Sequence, residues 1–289
     1  MNYIDLHTHS DKSDGSLTPS ELVDLAAQKG LCAIALTDHD TTEGIDEAIS
    51  RGFKKGVMVV PGVELSSEYQ GQDIHVVGLC IDHHDHDFCQ RLKDFVDSRD
   101  NRNRKMCERL TQAGMPVDYD ELRNTYTDSV ITRAHYARFM HEKGYVSSPK
   151  EAFERYIGDH GPYFIPREKV SPMDAIKLIL AADGIPVLAH PVLYGFGKDR
   201  LDNLVAELKE AGLVAIEAQY STYTQADERD MRTLANKYKL LISGGSDFHG
   251  EAKPGLELGT GYGSLRVQES VLNTLLRYKR NMYKEKATV

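Results

Sequence analysis

The run Cys32-Ala33-Ile34-Ala35-Leu36-Thr37 constrains the fold more than any other stretch of the chain. It is almost continuously apolar, as expected of a strand in a parallel sheet whose two faces are both covered. Its flanks agree. Thr18 as N-cap, Pro19 at the first helical position and Glu21 closing a capping box predict a helix before it. Leu22, Leu25 and Ala26 give that helix a buried face, and Gly30 ends it. After it, 40–51 reads as a helix and Val57-Met58-Val59-Val60 begins another strand. With strands at 3–7, 185–189, 213–218 and 240–243, the last three each preceded by a helical stretch, the alternation predicts an α/β fold. It breaks once. Between Val63-Glu64-Leu65 and Ile74-His75-Val76-Val77 lies only a short polar stretch with Gly71, which suits a hairpin rather than a crossover helix. Seven candidate strands result, near the number that closes a barrel.

The segment 99–167 differs. It is helical in pattern, poor in strands, and carries twelve basic against ten acidic residues, whereas the whole chain has a net charge of −9. It is expected to be an inserted helical subdomain, with 1–98 and 168–289 forming the barrel. The acidic balance argues against a broad nucleic-acid or anionic-membrane surface, and so against long duplexes. No apolar run approaches the roughly 18 residues of a spanning helix, and the N-terminus lacks a signal core, so no membrane association is expected. Four cysteines without CxxC spacing suit a reducing, cytoplasmic setting. Nothing in the pattern calls for an obligate protein partner.

The chain has twelve histidines and no tryptophan. Placed on the strands, His7 and His9 end the first, with Asp14 in the loop beyond. Asp38-His39-Asp40 ends the second, Glu64 the third, and His75 sits on the fourth. His190 ends the fifth, and Asp247 and His249 end the last. The carboxyl ends of strands are where a barrel gathers catalytic groups, and alternate positions share a face, so His7 and His9 can meet one ion. Imidazole with carboxylate and no thiolate suits Zn²⁺, Mn²⁺ or Fe²⁺. Singly, each feature has a plainer account. An HxH pair is weak evidence, His75 suits a hydrogen-bonded core histidine, His190 before Pro191 suits a loop, and Asp14-Gly15 suits a turn. The contiguous His83-His84-Asp85-His86 reads as solvated surface. Nine positions from remote segments, all at one barrel mouth, do not share such an account.

Asp5-Leu6-His7-Thr8-His9-Ser10, Ser13-Asp14-Gly15, Leu36-Thr37-Asp38-His39-Asp40, Gly62-Val63-Glu64, Ala189-His190-Pro191 and Ser246-Asp247-Phe248-His249 resemble the motifs of the PHP (polymerase and histidinol phosphatase) superfamily. Motif order and the interposed helical segment are similar to the branch of nucleoside 3′,5′-bisphosphate phosphatases and 5′-to-3′ exoribonucleases of short RNA. The resemblance implies a distorted (β/α)7, TIM-like barrel with three divalent metal ions (Mn²⁺, Zn²⁺ or Fe²⁺). His7, His9, Glu64 and Asp247 would hold the first; Glu64 would bridge to a second shared with His75 and His190; Asp14, His39 and His249 would hold the third. Many relatives have histidine where Asp14 stands, and the favoured branch has aspartate.

Such a centre implies phosphoester hydrolysis of a small phosphorylated substrate, a nucleotide, by metal-bound hydroxide. His39, Glu64, His190 and His249 are the expected catalytic residues; His190 or His249 would assist the leaving group, though a metal-bound histidine is a poor acid. Asp38 and Asp40 are expected to orient His39 or its neighbours. In the helical segment, Arg99, Arg102, Arg104, Lys105 and Arg109 crowd one stretch, with Arg133 further on. One account is a solvated face neutralised by Asp97, Asp100 and Glu108. The other is a clamp in which Arg102 or Arg133 grips a second, non-reacting phosphate. Histidinol-phosphate phosphatase, amidohydrolase or deaminase, and non-catalytic metal-binding module are the alternatives.

Overall fold

A computed structural model describes residues 2–126, 129–158, 161–165 and 170–286. Eight strands form one sheet in the order β7-β6-β5-β4-β3-β2-β1-β8. The amino-terminal half contributes β1 (Tyr3–Thr8), α1 (Pro19–Gln28), β2 (Leu31–Leu36), α2 (Ile45–Lys55), β3 (Met58–Tyr69) and β4 (Gln72–Leu79). Four helices follow: α3 (His86–Gln112), α4 (Tyr119–Thr125), α5 (Arg133–Glu142) and α6 (Pro149–Ala152). Then come α7 (Pro172–Ala181), β5 (Ile185–Leu188), α8 (Lys198–Glu210), β6 (Ala215–Tyr220), α9 (Gln225–Lys237), β7 (Leu241–Gly245), β8 (Val267–Gln268) and α10 (Glu269–Lys286). The capping box forms at α1, where Thr18 accepts from the Glu21 backbone and Glu21 from that of Thr18.

The seven long strands make the distorted barrel. β7 closes onto β1 just past its own end: Asp247 N donates to His7 O and Phe248 O accepts from His9 N, both at 2.9 Å. The two chains approach so closely that a Cβ on Gly245 would sit 2.5 Å from the His7 nitrogen, which requires glycine there. All long strands run parallel except β4, which is antiparallel to both β3 and β5. That reversal turns the beginning of β4 toward the mouth, so His75 reaches the same end as His190: the Ala189 nitrogen donates to His75 O.

Three expectations change. Glu64 does not end its strand, because β3 continues to Tyr69 as one arm of the hairpin with β4. The second helix starts at Ile45 rather than 40, since Asp40 adopts a left-handed φ of 55° and its backbone and carboxylate bond to strand β3. The tail 267–283 reads in sequence as a helix, but Val267 begins the two-residue β8 on β1.

Apolar side chains of the strands pack against α1 and α7–α9, while Ile4, Ala33, Val60 and Val187 gather with Leu272 and Leu275 of α10. A separate cluster joins Met106 and Leu110 of α3 to Leu122, Tyr136, Phe139 and Ile157. The expected boundary at 98/99 falls inside α3, which no breaker interrupts. Phe88 and Leu92 at its start belong to the barrel's cluster and Met106 and Leu110 near its end to the helical one. Residues 166–169, at the other expected boundary, and the Arg99 side chain lie outside the described set. Among the described residues, no helix is long and apolar enough to cross a membrane.

Candidate metal centre

Glu64 is the hub of the barrel mouth. Its Oε2 lies 3.2 Å from Nε2 of His7, 3.2 Å from Nε2 of His9 and 3.3 Å from Nδ1 of His39. Its Oε1 accepts from Nδ1 of His75 at 2.9 Å and lies 3.1 Å from Nε2 of His190. Asp247 Oδ1 is 3.2 Å from Nε2 of His9, and Asp14 Oδ1 is 3.2 Å from Nε2 of His249. All nine expected donor residues therefore meet at one mouth. His7 and His9 lie buried beneath a cleft of about 480 Å³ that the other seven line.

The donors suit divalent cations. His7 Nε2, His9 Nε2, His39 Nδ1 and His190 Nδ1 are buried without a hydrogen-bond partner, and such a buried polar atom costs about 1–3 kcal/mol when left unsatisfied. The first three sit 3.2–3.3 Å from Glu64 Oε2 without making a hydrogen bond. An ion with bonds of about 2.0–2.2 Å holds neighbouring ligands at about that separation. The donor atoms of His7, His9, Glu64 and Asp247 lie within 4.8 Å of one another, as do those of His9, Asp14, His39 and His249, and those of His39, Glu64 and His75. The first group matches the expected one; in the others His9 joins the Asp14 set, and His39 stands with Glu64 and His75 in the place expected of His190. A fourth group, Asp46 with His83 and His84, is mostly exposed and lies outside the cleft.

Electrostatics divide the donors. Burial alone would raise Asp14 and Glu64, but the imidazoles packed round them, led by His249 for Asp14 and His7 for Glu64, hold both carboxyls well below their usual range. Burial would lower the imidazoles too, yet Glu217 and Glu64 lift His7 well above its usual value, and Asp247 and Glu64 lift His9. Burial drives His39 down to about 3, so it presents the neutral imidazole that a metal requires. His190 and Asp247 adopt left-handed backbone, φ 32° and 57°. Such strain costs about 1–3 kcal/mol per residue and persists where the surroundings over-determine it.

Asp38 accepts from Ser10 N, Ser10 Oγ and Ser13 Oγ, beside His9 and Asp14, and Asp40 accepts from Ser66 N on the strand that carries Glu64. A further orienting carboxylate is Glu217 on β6, which bonds His7 Nδ1 at 2.9 Å and accepts from the His190 backbone nitrogen at 2.7 Å. Tyr220 donates to Asp247 Oδ2 at 2.7 Å, and Lys253 Nζ lies 2.5 Å from the same oxygen. None of these three carried a sequence signal beyond its residue type. Lys253 keeps its charge: burial would lower it, but Asp247 raises it.

The helical segment reaches the cleft with Arg102 and Arg133. Arg133, at the start of α5, pairs with Asp73 of β4 at 2.5 Å and lies 4.9 Å over the Phe164 ring. Thr132 donates to Asp14 Oδ2 at 2.9 Å, joining the α5 cap to the mouth. Arg104 instead stacks on Tyr119 and pairs with Asp120, while Arg109 donates to Phe164 O.

The chain is similar to known proteins along most of its length. A 3′,5′-nucleoside bisphosphate phosphatase from Chromobacterium violaceum is 34% identical over 260 residues, covering 90% of this chain and 91% of that protein. A 5′-3′ exoribonuclease from Haemophilus influenzae is 36% identical over 245 residues, covering 85% and 89%. A solved structure of an amidohydrolase from C. violaceum, with bound sulfate and no metal, superposes with a TM-score of 0.82 at 33% identity over 89% of this chain and 90% of that one. The PHP domain family matches residues 5–157. By the matched family and by identity along most of its length, the chain belongs to the PHP-domain family.

Proposed function

We propose that this chain is a metal-dependent phosphoesterase of small nucleotides that removes the 3′-phosphate of nucleoside 3′,5′-bisphosphates, with short 5′-phosphorylated RNA as the alternative substrate. The observation that carries this is the ring of five histidines around Glu64 with two arginines of the helical segment at the same cleft. The names of the C. violaceum phosphatase and the H. influenzae exoribonuclease support the substrate class.

Three divalent ions, Mn²⁺, Zn²⁺ or Fe²⁺, would be held by His7, His9, Glu64 and Asp247; by Glu64, His75 and His190; and by Asp14, His39 and His249. When bound, adjacent ions acidify water and neutralise charge on phosphate oxygens. The protein does the positioning. Glu217 fixes His7 and the His190 backbone together, and Thr132 holds Asp14. Segment 99–167 caps the cleft, where Arg102 and Arg133 hold the non-reacting phosphate and Asp73 keeps Arg133 in place until substrate arrives. Lys253 adds a charge beside Asp247. His190 and His249 stand at the cleft wall, where they would assist the leaving oxygen. Four free cysteines favour a reducing, cytoplasmic setting.

The test is product release by metal-reconstituted protein: inorganic phosphate from adenosine 3′,5′-bisphosphate and histidinol phosphate, mononucleotides from short 5′-phosphorylated RNA, and carboxylate from an N-acyl amide. Preferred turnover of either nucleotide is expected. Preference for histidinol phosphate, or amide cleavage as the name of the superposed C. violaceum structure suggests, would overturn the proposal.

A further inference from the structure

Two large apolar side chains stand exposed in the cleft that holds the imidazoles and carboxylates. Leu193, in the 3₁₀ turn Pro191–Tyr194 after β5, is 53% exposed, and Phe153, on the helical segment, is 37% exposed; both line the cleft. Apolar surface left in water is unfavourable, so exposed apolar side chains within a cleft point to a ligand that covers them. Phe153 also opens a five-residue π-helical turn, Phe153–Ile157, directly after α6. Such widened turns are rare and occur frequently at functional sites. Phe164 lies on the same cleft beneath the Arg133 guanidinium, which places an aromatic surface next to the proposed phosphate grip.

We propose that Phe153 and Leu193 form a stacking clamp for the substrate's nucleobase, one jaw on the helical segment and the other on the barrel. The clamp rests on the phosphoesterase assignment above and specifies how its substrate is recognised. A base offers a flat π-face to the Phe153 ring and an apolar face to Leu193. Every base has a π-face, so a clamp that works by stacking selects for the presence of an unpaired base over its identity. Bases stacked and paired within a duplex cannot enter it.

Phe153→Ala and Leu193→Ala, compared on adenosine 3′,5′-bisphosphate and on its abasic ribose counterpart, test the clamp. Loss of a base–aromatic stack should raise KM for the adenosine substrate about fivefold or more, with kcat within about twofold. KM on the abasic substrate should stay unchanged, and Phe153→Tyr should keep the parent KM. Adenosine, guanosine, cytidine and uridine bisphosphates should differ by no more than about threefold in kcat/KM. The chain has no tryptophan, so binding of 2-aminopurine riboside 3′,5′-bisphosphate can be read directly as quenching that Phe153→Ala abolishes. Unchanged KM in both alanine variants, an equal rise on the abasic substrate, strong preference for one base, or undiminished quenching in Phe153→Ala would overturn the clamp. Failure of the parent protein to hydrolyse any bisphosphate would instead overturn the phosphoesterase assignment, and the quenching experiment would still decide the clamp.

Discussion

The barrel mouth and the helical segment share one cleft, yet they present their side chains in different ways. On the barrel side, donors come from strand ends whose backbone is held by the sheet, and further residues hold them in turn. Glu217 and Tyr220, both on β6, reach His7, His190 and Asp247. On the helical side, Arg102 and Arg133 project from helices with their own apolar cluster. That unit meets the mouth through contacts such as Thr132–Asp14, Arg133–Asp73 and the Arg138 bond to Asp14 O. The difference separates two tasks. A cross-braced set of donors suits chemistry that must be the same for every substrate, while longer side chains on a distinct unit suit recognition.

The contrast can be broken by experiment. Glu64→Ala touches five histidines at once and should lower turnover on the order of 10³-fold or more on every phosphoester, with far-UV circular dichroism unchanged. Retained activity would show that the hub is not catalytic. Arg133→Ala should cost about 10- to 100-fold on adenosine 3′,5′-bisphosphate, as a lost charge-assisted pair of about 1.5–3 kcal/mol implies, while a simple alkyl phosphate loses little. Equal losses on both would dissolve the division of labour.

Glu217→Gln sharpens the barrel side. Loss of an orienting carboxylate should weaken metal retention about tenfold, measured by chelator competition, without changing the ranking of substrates. A change of ranking would place Glu217 in recognition.

The smallest expected effect concerns pH. Burial would lower His9, but Asp247 and Glu64 overcome it and lift it to about 9 in the metal-free protein. A raised histidine contributes stability that is complete below its unfolded value of about 6.5 and lost as pH rises through about 9. The metal-free protein should therefore melt at a lower temperature at pH 9.5 than at pH 7, and metal should reduce that drop. Metal uptake near pH 7 should release protons, seen by calorimetry in buffers of different ionisation enthalpy. Absence of proton release would show that these imidazoles are already neutral.

Much of the barrel was legible because its signals are local. The apolar 32–37 run, the Thr18–Glu21 capping box and the short hairpin link at Gly71 each describe a segment by its own residues. The donors were legible for a related reason: histidine and carboxylate at strand ends are uncommon, and their grouping is visible before any contact is known. Glu217, Tyr220 and Lys253 were not, since a glutamate and a tyrosine within a strand and a lysine in a loop are ordinary residues. Their importance lies only in partners such as His7, 210 residues away from Glu217. For Asp38 and Asp40, adjacency to His39 marked the neighbourhood, but their partners Ser10, Ser13 and Ser66 come only from the fold.

By itself, then, the order of residues determined which segments become strands and helices and which atom types line the mouth, because periodicity, capping and donor chemistry act over a few residues. Only the tertiary structure decided that β4 pairs with β5 and so sets His75 beside His190, that Glu217 braces two donors from other strands, and that α3 carries the chain unbroken from the barrel into the helical segment. Those depend on which surfaces bury against one another. Burial is a property of the whole packed chain, and no local pattern encodes it.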